Sequence, residues 1–205
     1  LREAGWAVFV SIMLANNETG VIQPVREAAA LVHAAGGLLH CDASQAPGRI
    51  ALDMDALGAD LLSMSAHKMG GVLGTGALVL KSDLPVQPML IGGGQEKFRR
   101  AGTENVPAIA AFGAAAEEAR TLAHAPRLAA LRDRLEVQFA AFGIEALGKD
   151  APRLPNTSCV AIAGKSSETL VMALDLAGYA ISAGSACSSG KVKSSHVALA
   201  MGCGE

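Results

Sequence analysis

The sequence predicts an α/β fold with a mainly parallel sheet, and three observations carry that prediction. Short apolar runs without polar alternation recur between stretches of helical periodicity, the pattern of strands buried on both faces. Glycine-rich joints separate them. Three of the runs end in polar clusters, NNETG (16–20), DASQ (42–45) and SAHK (65–68). The carboxyl ends of parallel strands are where such sheets bind ligands.

Taken in order, WAVFVSIML (6–14) is β-branched and apolar on both faces, a buried strand. Val25, Ala28, Ala29 and Val32 then form one helical stripe, opened by Pro24 and closed by Gly36 and Gly37. LLHCDAS (38–44), ADLLSMSA (59–66) and GALVLK (76–81) are three further strands. Beyond about Asn105 the texture becomes helical: Ile109, Phe112 and Ala116 share a face, and RLAALRDRLEVQFAAF (127–142) is a second long helix. TSCVAIA (157–163), SETLVMALDLA (167–177) and YAIS (179–182) read strand, helix, strand. The organisation expected is a larger domain over residues 1–123 and a smaller α/β domain over 124–205.

With 205 residues, 51% of them apolar, the chain can bury a sizeable core. Seventeen Lys and Arg against nineteen Asp and Glu give a formal charge of −2, so no broad basic field for nucleic acid or an acidic membrane is expected. Small molecules or proteins are the expected partners. Cys41, Cys159, Cys187 and Cys203 contain no CxxC pair, which argues against a structural metal site and fits a reducing cytoplasm. Neither a leader peptide nor an 18-residue apolar span is read. The first residue is not Met and the last are AMGCGE, so a piece of a longer protein is expected.

Lys68 is the most informative residue. A lysine at a strand end, between His67 and a glycine cluster, is placed to attack carbonyls or to hold pyridoxal phosphate as a Schiff base. Ser65 and His67 lie beside it as phosphate donors. Asp42 is either a helix cap or the carboxylate that a pyridinium nitrogen requires. His40 and Asp42 share a strand face, with Cys41 on the other as a core thiol. Gln45 is an amide donor for a phenolate oxygen. NNETG and GGGQ (92–95) read equally well as turns. In SAGSACSSG (182–190), Cys187 has only small neighbours, so it is either an available nucleophile or an incidental exposed thiol rather than a packed one.

In this order NNETG, HCDASQ, SMSAHK, GGGQEKFRRAGTEN, RLPNTS and SAGSACSSGKVKSSHVALAMG resemble the signatures of cysteine desulfurases of the NifS/IscS type, in the class V aminotransferase group of fold-type I pyridoxal phosphate enzymes. The resemblance implies a partial cofactor-binding domain followed by a partial small domain. It implies pyridoxal 5'-phosphate held by Lys68, with Asp42 on the ring nitrogen, Gln45 on the phenolate oxygen, Asn17 at the substrate end, and Ser65 and His67 on the phosphate. Thr103 would reach the phosphate of a second subunit in a homodimer. Cys187 would be the nucleophile that takes sulfur from L-cysteine as a persulfide, and a candidate transient iron–sulfur ligand; no resident metal is implied. The sulfur would pass to an acceptor or scaffold protein for iron–sulfur cluster or other sulfur-carrier biosynthesis.

Departures from the pattern are informative too. Residues 1–10 carry neither the small-residue phosphate loop nor the ring-stacking histidine that the family places upstream, and the substrate-carboxylate arginine expected downstream does not follow AMGCGE. Val72 stands where proline is expected. These departures imply an interior piece of about half a desulfurase. Selenocysteine lyase, or a non-catalytic dimerisation module, are the alternatives.

Overall fold

A computed structural model of the chain describes residues 8–82, 84–184 and 195–203. The backbone divides into two compact units, one within Leu1–Ala15 and Gln23–Ala125, the other within Asn16–Ile22 and Pro126–Glu205.

The first unit is a four-stranded sheet in the order β1 (Phe9–Met13), β2 (Leu38–Asp42), β3 (Leu61–Ser65), β4 (Gly76–Leu80). β1, β2 and β3 are parallel, and β4 runs antiparallel to β3. The sheet is therefore mainly parallel, as expected, but β1 is not the buried strand its apolar run predicts: Phe9, Ser11 and Met13 are exposed, because an apolar run does not itself supply the element that covers it. Helix α1 (Val25–Ala34) crosses from β1 to β2 and buries Val25, Ala29 and Val32. Leu39 and Cys41 are fully buried on one side of β2, whereas Leu38 and Asp42 on the other side are exposed. The short helix α2 (Met54–Leu57) is capped by Asp53, which accepts the Ala56 N–H at 2.9 Å.

The amino edge of the sheet is fastened by one buried carboxylate. Asp60, just before β3, accepts from the Leu39 N–H, His33 Nε2 and Lys81 Nζ, each at 2.8 Å. Burial alone would raise its pKa, but the Lys81, Leu39 and His33 hydrogen bonds outweigh it and hold the carboxyl down to about 2.

A one-turn segment α3 (Gln95–Phe98) and helix α4 (Val106–Ala119) complete this unit. Asn105 caps α4 through the Ala108 N–H, and α4 packs against the 3-10 turn Ala66–Met69 that follows β3.

The second unit holds α5 (Ala125–Ala140, its first residue counted with the first unit), α6 (Ser167–Leu176) and α7 (His196–Ala200). Its 16–22 segment is an Asn turn: Asn16 Oδ1 accepts the Glu18 and Thr19 N–H groups at 2.9 Å. Gly20 has φ +74, and an added Cβ would stand 2.8 Å from Thr157 Cβ, so both backbone and space require glycine. Arg153 and Glu136 form a bidentate pair at 2.7 Å.

The runs at 157–163 and 179–182 do not form strands. Val160 makes an isolated bridge to Ala146, and no ladder extends from it among the described residues. An apolar run becomes a strand only where a neighbour satisfies its backbone groups, and pattern alone does not supply that neighbour.

Candidate active site

Because β1, β2 and β3 are parallel, Met13, Asp42 and Ser65 end at one edge of the sheet, and the antiparallel β4 begins there at Gly76. The close β3–β4 pairing explains Gly76: an added Cβ would meet the Met64 carbonyl oxygen at 2.7 Å. Of the residues singled out in the sequence, Ser65 ends β3 at this edge with His67 and Lys68 just after it, and Asp42 ends β2 beside it with Gln45 just after.

Lys68 sits in the 3-10 turn, half-buried, and its amine has no hydrogen bond or ion pair among the described residues. An amine without a carboxylate partner is available to bond to a ligand. Asp42 is exposed, and its Oδ1 accepts the Ser44 N–H at 2.9 Å, leaving Oδ2 open to a cationic donor. Ser65 Oγ and His67 Nδ1 are 2.8 Å apart. Either neutral tautomer of His67 leaves one proton free for an external oxygen, on Nε2 or on the Ser65 hydroxyl. Gln45 is half-buried, and Arg49 Nη1 donates to its carbonyl at 2.6 Å.

His40 is engaged within the sheet, its Nδ1 2.8 Å from Ser11 Oγ and its Nε2 3.1 Å from Ser63 Oγ, a polar row across three strands. Cys41 is a core thiol: burial, followed by the Asp42 charge, pushes it up to about 11, so it stays protonated near neutrality. Thr103 is exposed and lines a cavity of about 790 Å³ with Gly76, Lys97, Arg99 and Arg100. Asn17 is exposed in the Asn turn of the second unit. Cys187 lies outside the described residues.

Sequence reasoning missed Arg49, whose guanidinium also donates to the Lys68 carbonyl through Nη2 at 3.1 Å. The available signal was a lone arginine four residues beyond Gln45, after Pro47 and Gly48 and just ahead of the apolar run IAL at 50–52.

A family model described as aminotransferase class-V matches residues 5–203. The chain belongs to the aminotransferase class-V family. Among curated relatives, a cysteine desulfurase of Cereibacter sphaeroides is 49% identical over 195 residues, covering 94% of this chain and 50% of that protein. The X-ray structure of a NifS-like protein from Rickettsia africae superposes with a TM-score of 0.86 at 36% identity, over 96% of this chain and 53% of that one. A structure titled SspA in complex with cysteine gives a TM-score of 0.77 at 28% identity, over 95% of this chain and 54% of that one. This class-V chain thus has the fold of NifS-like, fold-type I enzymes and spans about half the length of the curated relatives it matches. Among the described residues no helix is long and apolar enough to cross a membrane, and no group of His, Cys, Asp or Glu side chains could hold a metal ion.

Proposed function

We propose that the chain carries part of a pyridoxal phosphate site that desulfurises L-cysteine. The observation that supports this best is the unpaired Lys68 amine at the carboxyl edge of the sheet, in the same edge cluster as the open oxygen of Asp42 and the Ser65–His67 pair. These groups suit the cofactor in kind: an amine for its aldehyde, a carboxylate for its ring nitrogen, and the free donor of the Ser65–His67 pair for its phosphate. When bound, pyridoxal phosphate supplies an electron sink for charge developing on an attached amino acid.

In this reading Lys68 would hold the cofactor through its amine and, when free, would move protons at the substrate. Asp42 would keep the ring nitrogen protonated, Gln45 would donate to the phenolate oxygen, and Asn17 would serve the substrate end. Ser65 and His67 bind phosphate, and Thr103, beside Lys97, Arg99 and Arg100, serves the phosphate of a second subunit in a homodimer. The Cys187 thiolate attacks the sulfur of cysteine. A sulfur–sulfur bond forms, the carbon–sulfur bond breaks, and its electron pair, with a proton, completes L-alanine. The persulfide on Cys187 then passes to an acceptor or scaffold protein for iron–sulfur or related biosynthesis. The free thiols of Cys41, Cys159 and Cys203 fit a reducing cytoplasm.

The test is incubation of the cofactor-loaded protein with L-cysteine, measuring alanine and the mass of the Cys187 peptide. Stoichiometric alanine with one added sulfur on Cys187, both lost in Cys187→Ser, is the expected result. Unchanged alanine release from Cys187→Ser would remove Cys187 from the role.

A further inference from the structure

Arg49 ties together the two loops that carry the proposed cofactor groups. Its Nη1 donates to the Gln45 carbonyl at 2.6 Å and lies 3.4 Å from Gln45 Oε1, while Nη2 donates to the Lys68 carbonyl at 3.1 Å. Gln45 follows β2 and Lys68 follows β3, so one side chain spans loops that leave adjacent strands. At their roots these loops are joined by the Ala43 N–H to Ser63 carbonyl bond of 3.0 Å. Past Ser65 the chain turns toward β4, with Ala66 N–H donating to the Thr75 carbonyl at 3.0 Å. Arg49 thus bridges the loops beyond the point where the sheet ladder joins them.

The chemistry of the guanidinium suits this task. It is planar, permanently charged and presents its nitrogens in a fixed fork, so bonds from Nη1 and Nη2 fix two acceptors relative to each other. A carbonyl bonded in this way carries its own peptide plane with it. Holding the Gln45 and Lys68 carbonyls therefore restrains the two Cα atoms from which the amide and the amine extend.

We propose that Arg49 is a positioning residue that sets the spacing between the Gln45 amide and the Lys68 amine by clamping their backbone carbonyls. The consequence for the cofactor rests on the reading of the site above; the clamp itself does not.

The test compares the wild-type chain with Arg49→Met, which keeps the apolar stem, and Arg49→Lys, whose single ammonium cannot reproduce the fork. Amide hydrogen exchange is measured by mass spectrometry without cofactor. Pyridoxal phosphate binding and the pH dependence of its visible band are measured in parallel. Arg49→Met is expected to speed exchange in both 43–50 and 66–71 while leaving β1 and α1 unchanged. It should also weaken pyridoxal phosphate binding about tenfold and shift the apparent pKa of the band, with Arg49→Lys in between. Unchanged exchange in both segments would overturn the clamp. Faster exchange with unaltered affinity and band pKa would overturn the positioning role and leave a purely structural tie. If the wild-type chain takes no cofactor on Lys68, the site reading and the positioning role fail together, while the exchange data still decide the clamp. Should Arg49→Met unfold, seen as fast exchange throughout β2, the same comparisons are read from Arg49→Lys.

Discussion

Lys81 Nζ donates to Asp60 Oδ1 at 2.8 Å, joining the residue after β4 to the residue before β3. The Asp60 side chain is only 7% exposed, whereas Lys81 and His33 are 39% and 38% exposed. Water therefore solvates Lys81 and His33 but not the carboxylate between them, which depends on its partners.

The pH dependence follows from the sign of the shift. Asp60 falls from an ordinary 3.8 to about 2 in the folded chain, so folding favours its charged form. That contribution, about 2 kcal/mol, is complete above the unfolded value and is lost as pH falls from about 4 to about 2. Urea unfolding between pH 5 and pH 2 should show this loss, and Asp60→Asn should remove it. At pH 7 the same variant should cost about 3 kcal/mol, because Lys81 loses its counter-charge and one of the two acceptor oxygens shared by Leu39 N–H, His33 and Lys81 becomes an NH2 donor. An unchanged acid slope in Asp60→Asn would rule out this assignment.

Two ion pairs should behave oppositely. Arg153, 6% exposed, is held bidentately by Glu136, and the pair lowers the Glu136 pKa and raises that of Arg153. Glu136→Ala strands a buried cation and should destabilise the chain by about 3 kcal/mol. Arg120 and Glu117 are 77% and 76% exposed, so Glu117→Ala should leave the unfolding curve where it is. Equal midpoints for the two variants would contradict the burial argument.

Gly20→Ala should be among the most damaging single-methyl additions. The substitution imposes strain at φ +74 and brings Cβ within 2.8 Å of Thr157 Cβ. The expected loss is about 2 kcal/mol or more, read from the thermal midpoint. Thr157→Ala in the same background relieves the contact but not the backbone, and should recover only part of the loss.

The legible parts of the fold were those set by local pattern. β1, β2 and β3 are legible as short apolar runs without alternation, although Phe9, Met13 and Leu38 leave one face of β1 and β2 exposed, and α1 is legible because its buried residues keep helical spacing. The direction of β4 is not a local property and emerges from its pairing with β3. The apolar 157–163 run promised a strand, yet Val160 finds one bridge, to Ala146, rather than a ladder. At the site, Lys68, Asp42, Ser65 and His67 were legible as side-chain chemistry at strand ends. Arg49 was not, because it acts on backbone carbonyls, which every residue has and no motif marks.

Schiff-base formation on Lys68, whose amine has no partner among the described residues, decides whether this sheet edge holds the cofactor. The most direct measurement is borohydride reduction of the chain after incubation with pyridoxal phosphate, followed by peptide mapping. One reduced adduct is expected, on the peptide containing Lys68, absent in Lys68→Ala and present in Cys187→Ser. Labelling spread over other lysines, or retained unchanged in Lys68→Ala, would contradict it.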